Sequence, residues 1–208
     1  MPDPVCVRCR GPLRTPDSAG DWRCPFHGAV EPLQPAIPAE PYHLHDTASS
    51  AGVPMWLPWP MPAGWSVSGV RRTGGTGPAR GVALALSGPG VAARQVELVV
   101  VAEEPGVGLG ASFAGLDTTD PGPELAQLPR DTRVVAGGHP TALWSLPVLD
   151  REVYVGEAGG LWLWLVAWPI GEWMVVHDDL HLVDAREPGH RALLTELPVA
   201  ALSPRLSA

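Results

Sequence analysis

Hydrophobic positions in this chain fall into short runs broken by glycine and proline, seldom into the three-to-four spacing of a helix. The longest run, Leu161–Trp168, reads Leu-Trp-Leu-Trp-Leu-Val-Ala-Trp between Gly159-Gly160 and Pro169. An apolar run bounded by breakers predicts a strand covered on both faces, and this one is far short of the ~18 residues a membrane span needs. It is expected to be the central strand of the main domain. Trp162, Trp164 and Trp168 share one of its faces by the strand period of two. Further strands are predicted at residues 65–72, 81–87, 95–102, 141–146, 152–157 and 180–184. The connections at 158–160 and 169–172 are hairpin-like, so the strands flanking Leu161–Trp168 should run antiparallel to it. Within 81–87, Val82, Leu84 and Leu86 alternate with alanines, giving one bulky and one small face. Helix is confined to short segments at 109–116, at 121–128 behind Asp120 as N-cap, and at 191–197. The tail, 198–206, is expected to dock through Val199, Leu202 and Leu206.

Proline changes the reading of residues 32–63. Eight prolines lie between Pro32 and Pro62, which argues against helix over most of the segment. Its first part, to Gly52, reads as a linker with polyproline character, in which His43 and His45 are solvated. Its second part, from Val53 to Pro62, is too apolar to hang in water. It is expected to pack as an extended arm, with Trp56 or Trp59 against the sheet and Trp162 or Trp164 beneath; a recognition surface for a partner is the alternative.

The one sharp motif lies in residues 1–31: Cys6-x2-Cys9, a fourteen-residue spacer, then Cys24-x2-His27. An x2 spacing lets two ligands of one tight turn face the same ion, and three sulfurs with an imidazole suit tetrahedral zinc. Gly11 and Gly28 follow the two knuckles and are expected to relieve the backbone there. Trp22 is the candidate apolar cover. A Cys3His set leaves no open coordination position, so the zinc is expected to be structural, supplying most of the stability of a module too small for its own core. The fold class that follows is α+β: a mainly antiparallel β-sheet domain with few short helices at 64–186, preceded by the small zinc ribbon and followed by a docked tail at 187–208.

Composition narrows the functions. The net charge is −8, and the ribbon's arginines (Arg8, Arg10, Arg14, Arg23) are matched by Asp3, Asp17, Asp21 and Glu31, so no nucleic acid partner and no membrane insertion are expected. The chain contains no lysine, which excludes P-loop and Schiff-base chemistry. Its first residues lack the basic and apolar regions of a signal peptide, which points to the cytoplasm.

Other constellations are weaker. The run Gly106-Val-Gly-Leu-Gly110 lacks dinucleotide-fingerprint spacing and reads as a tight turn. Adjacent Glu103 and Glu104 point to opposite faces of a strand. On a helix His177 and His181 would share a face, and on a strand His177, Asp179 and His181 would; either arrangement could ligate a metal with Asp179, with Glu103 as a further candidate, and the alternative is a polar turn leading into an edge strand. His139 has no visible partner, and neither Gly-x-Ser-x-Gly nor His-Glu-x-x-His occurs.

The knuckles, the Trp-Leu-Pro-Trp-Pro arm, Val101-Ala-Glu-Glu-Pro-Gly-Val-Gly-Leu-Gly110, Gly160-Leu-Trp-Leu-Trp164 and Ala201-Leu-Ser-Pro-Arg-Leu206 together resemble a family of uncharacterised actinobacterial proteins with an N-terminal zinc ribbon. The resemblance covers nearly the whole chain and implies no activity. The leading expectation is a non-enzymatic interaction or adaptor protein with a protein partner. A metal-dependent hydrolase and a small-molecule sensor with a tryptophan-lined pocket are the rivals.

Overall fold

The computed structural model describes residues 3–14, 16, 21–75, 77–90, 94–122, 125, 128, 130–171 and 180–207. The first strands are short: β1 (Val5–Cys6), β2 (Arg23–Cys24), β3 (Gly28–Ala29) and β4 (Pro32–Leu33). Helix α1 (Pro41–Ser50) and strand β5 (Trp56–Pro58) follow. Then come the long strands β6 (Ser66–Thr73), β7 (Gly81–Pro89) and β8 (Gln95–Glu103), helix α2 (Leu109–Ala114), and strands β9 (Thr132–Ala136), β10 (His139–Leu146), β11 (Glu152–Ala158) and β12 (Leu161–Trp168). Strand β13 (His181–Asp184), helix α3 (Pro188–Arg191) and two 3-10 turns at Ala192–Thr195 and Pro204–Leu206 complete the chain.

Among the described residues, one eleven-stranded sheet runs in the order β1-β4-β6-β7-β8-β12-β11-β10-β9-β13-β5, while β2 and β3 pair separately. As predicted, Leu161–Trp168 is central and antiparallel to both neighbours, with Trp164 opposite Val101 on β8 and Val155 on β11. Strand β13 joins β9 in parallel, with Leu182 opposite Ala136. The sheet coils so that β5, last in strand order, lies against β8.

Alternation along the strands sorts the core into two faces. The first collects Val82, Leu84 and Leu86 of β7, Leu98 and Val100 of β8, and Leu163 and Leu165 of β12; Leu44, Met55, Trp56 and Leu197 cover it. The second collects Ala83, Ala85, Val99, Val101, Trp164, Val166 and Trp168, covered by Leu109, Phe113 and Leu206. The small face of β7 meets the second group, because alanines leave room for α2 and the C-terminal turn.

Four expectations are corrected. Residues 41–50, read as linker, form α1: Pro41 stands at the first helical position, where a missing N–H costs nothing, and the next proline is Pro54. Leu44, Thr47 and Ala48 repeat at helical spacing and are buried. Residues 181–184 are not an edge, because the arm adds β5 outside them. Trp56 is buried in the first face, whereas Trp162 and Trp164 belong to the second, so the arm does not lie over those tryptophans. Val199 is 52% exposed; the tail is fixed there by backbone, with Val67 N–H donating to Pro198 O and Ala200 N–H to Val67 O.

The unpredicted strand β9 pairs with β10 through Gly137-Gly138, both at positive φ (57° and 82°), as a tight hairpin turn requires. Of the other predicted helices, 109–116 is observed as α2, the last is shifted to α3 and the turn after it, and 121–128 falls partly outside the described residues.

Trp56 is the largest side chain the arm contributes to the core, at 7% exposure. Trp56→Ala should lower unfolding free energy in urea by about 3–5 kcal/mol while leaving metal content unchanged. A variant as stable as the parent would show that the arm is not core.

Candidate metal centre

Two tight turns bring the ligating atoms together. In the first, Arg10 N–H donates to Cys6 O and Cys6 N–H to Gly11 O, closing a loop that presents Cys6 and Cys9. In the second, the β2–β3 hairpin presents Cys24 and His27, and Phe26 N–H points at Cys24 Sγ from 3.4 Å. The left-handed residue of the first knuckle is Arg10 (φ 59°) rather than Gly11, whose own role is space: a Cβ there would stand 3.3 Å from Cys9 Sγ. Gly28 (φ 70°) fills the expected role in the second.

Cys6, Cys9, Cys24 and His27 each offer one donor atom, all within 4.8 Å of one another. Cys9 Sγ lies 3.7 Å from Cys24 Sγ, and His27 Nδ1 lies 3.5 Å from the sulfurs of both Cys6 and Cys24. Burial pushes the Cys6 thiol up to about 11, with the neighbouring thiols adding to the effect. Burial also opposes ionisation of Cys24, but the backbone N–H groups of Phe26 and His27 and the thiols of Cys6 and Cys9 together bring it down to about 6. Without a cation, negative charge would therefore collect on Cys24 while Cys6 stayed protonated. The four side chains could hold a metal ion, which would stabilise all three thiolates together.

This centre is continuous with the sheet. Cys6 lies on β1, opposite Pro32 of β4, and Leu33 pairs with Thr73 of β6. Gln34 N–H donates to Arg72 O and Gly74 N–H to Pro32 O, tightening that join. Arg80 bridges Glu31 and Glu104, both at 2.7 Å, and Arg8 donates to Asp117 O. Trp22, the candidate cover, lies beside Gly75 and lines a crevice of about 290 Å³ between the knuckles and the loop at Gly106 and Val107.

Among the described residues, the other candidates form no second cluster of metal-ligating groups. Glu103 is fully buried and accepts hydrogen bonds from the N–H groups of Leu109 (2.5 Å) and Gly110 (3.0 Å), so its carboxyl fixes the start of α2. Gly110 is required because a Cβ there would run into the Trp164 indole. Glu104 turns outward to Arg80. His181 is exposed on β13, five places from β8 in strand order, and among the described residues it makes no hydrogen bond or ion pair with Glu103. His177 and Asp179 lie outside the described residues. His139 is exposed at the start of β10, while His43 and His45 contact Pro38 O and Thr195 Oγ1. Asp120, read only as an N-cap, accepts from Gly106 N–H and the Trp162 indole; that constellation was invisible because its partners are distant in sequence.

Fold and centre together define the class: a mainly antiparallel β-sheet protein with an N-terminal Cys3His cluster able to bind metal. The chain belongs to a family of unknown function (DUF6758), whose profile matches residues 1–206. No curated protein and no solved structure matches it.

Burial pushes the Glu103 carboxyl up from 4.5 to about 8, against the pull of the two α2 amides. The native value lies above the unfolded one, so the stability linked to this group is complete below about pH 4.5 and is lost as pH rises through about 8. Urea titrations between about pH 6 and pH 8.5 should show a decline in the parent that Glu103→Gln lacks. Parallel pH profiles for the two proteins would contradict this.

Proposed function

We propose that the protein is a non-catalytic, metal-stabilised interaction protein, in which a structural zinc holds the N-terminal ribbon against a β-sheet scaffold. The observation that carries this reading is the shape of the donor set. Bonds of ~2.3 Å to sulfur and ~2.0 Å to nitrogen, at the tetrahedral angle, give sulfur–sulfur edges of ~3.8 Å and sulfur–nitrogen edges of ~3.5 Å. The separations of 3.7, 3.5 and 3.5 Å fit that polyhedron. Four protein ligands leave no position for water or substrate, which favours a structural over a catalytic ion.

The rival readings have less support. A hydrolase drawing on Glu103 beside His177, Asp179 and His181 would need that carboxylate free, but both of its oxygens are engaged by α2 amides. A sensor with the arm as lid would need the arm to cover a pocket; Met55, Trp56 and Leu57 are instead core residues. The reading places the protein in the cytoplasm, where a reducing environment keeps three thiols available for metal. Among the described residues no helix is long and apolar enough to cross a membrane. The ligand of the scaffold is taken to be another protein, and nucleic acid is disfavoured by the balanced charge of the ribbon.

Elemental analysis of protein purified under reducing conditions should give one zinc per chain, and Cys24→Ser should lose it. Metal affinity should fall as pH is lowered, because protons compete for the thiolates. Metal-free parent protein with an unchanged melting temperature would contradict a structural zinc.

A further inference from the structure

The crevice lined by Trp22 lies where the knuckles meet the loop after β8, and its volume is about 290 Å³. None of the four metal donors lines it. Ala29, Val30 and Val107 give it aliphatic surface, and Trp22 gives it an indole wall. Arg8, Arg80 and Glu31 supply polar groups to the same space.

Those polar groups are unevenly satisfied. Arg80 is matched twice, by Glu31 and by Glu104, both at 2.7 Å. Asp21, also at the crevice, has an interaction partner of its own. Arg8 differs. Among the described residues it forms no ion pair, and its one hydrogen bond runs from Nη2 to the carbonyl of Asp117. Trp22 Nε1 makes no hydrogen bond among the described residues. A Cβ at position 75 would stand 3.5 Å from that nitrogen, so glycine there leaves this edge of the indole uncovered by a side chain. The unmet capacity of the crevice is therefore donor capacity, from one guanidinium and one indole N–H.

A guanidinium held only by a carbonyl keeps its charge uncompensated, and its fork matches a carboxylate through two parallel bonds. One such cation fits a single negative charge better than a phosphate or a run of acids. The surrounding aliphatic and aromatic surface fits an apolar body attached to that charge. The volume stands at the lower end of the ~300–1,000 Å³ usual for pockets that enclose a whole ligand, so it suits one residue-sized group with the rest of its molecule outside.

We propose that this crevice captures the carboxyl-terminal residue of a protein partner, with the terminal carboxylate on Arg8 and the Trp22 N–H and an apolar last side chain against Val30 and Val107. The proposal rests on the interaction reading above and gives that reading its binding surface. A chain terminus fits better than a free acid of the same chemistry, because upstream residues gain contacts along the rim that so small a crevice does not supply by enclosure.

Acetylated pentapeptides ending in Ala, Val, Leu or Phe are titrated into the full metal-loaded chain by calorimetry, each as free acid and as carboxamide. Indole N–H signals are followed by NMR, with that of Trp22 assigned through Trp22→Phe. The expected result is saturable one-site binding of free acids with the larger last residues, a shift of the Trp22 signal, and binding weakened about tenfold or more in the carboxamides and in Arg8→Gln. Arg8 stands between Cys6 and Cys9, so metal content is measured on every protein. Thr119→Asp adds a negative charge to the crevice from a loop distant in sequence from the metal ligands, and should weaken binding by a similar factor at full metal content. Absence of binding by any free acid would overturn the proposal, as would equal binding of acid and carboxamide, or parent-like binding in both variants. Binding of N-acetyl-leucine as tight as that of the best peptide would overturn the assignment to a chain terminus. Each of these failures leaves the structural-zinc reading standing, since zinc content and melting temperature of the parent decide that separately.

Discussion

Leu161–Trp168 lies between two layers of packing, and that two-sided burial limits what the rest of the chain can do. On one side, Leu163 and Leu165 need α1, the arm and the 3-10 turn after α3 as cover. On the other, Trp164 is fully buried and needs α2 pressed against it, which only a glycine at position 110 permits. Helix α2 has six residues, too few for independent stability, and its first amides are satisfied from the sheet by Glu103. A carboxyl at the end of β8 thus serves the packing of an indole on β12. Glu103, one of the residues of the main domain that look like chemistry, is accounted for by packing.

The N-terminal segment answers a different constraint. The described residues of 1–31 contribute few apolar side chains to either core face, so they must be fixed by other means. Val7 and Leu33 anchor them to the second face, and backbone pairing through β4 continues the sheet. The Arg80 bridge to Glu31 and Glu104 is half-exposed, and such pairs contribute little individually. In the proposed reading the four-donor cluster, once it holds its ion, orders the knuckles, and because Cys6 sits on β1, which pairs with β4 and through it with β6, that order would reach the sheet.

How much of this was legible in the sequence depended on the range of the interaction. The central strand, its antiparallel neighbours and the two knuckles follow from local patterns: an uninterrupted apolar run, glycine turns and x2 ligand spacing. Helix α1 was hidden by averaging over a proline-rich stretch whose prolines in fact cluster on either side of residues 42–53. Strand β9 carries only the short apolar run Val134-Val135-Ala136, although Gly137-Gly138 marks its hairpin. The placement of Trp56 and Trp164 in separate core clusters could not be read locally, since it depends on the sheet coiling until β5 meets β8. The roles of Glu103 and Asp120 were equally hidden, because donors and acceptors met only after folding.

Hydrogen exchange on the metal-loaded and chelated protein tests most directly whether the metal orders the first edge of an otherwise self-sufficient sheet. Chelation should deprotect the amides of Cys6, Arg10, Gln34 and Gly74, whose bonds define the knuckle and the β4–β6 join. The amides of β8 and β12 should keep their protection. Unchanged exchange at the edge would contradict the structural role given to the ion, and loss of protection throughout β8 and β12 would contradict the independence of the core.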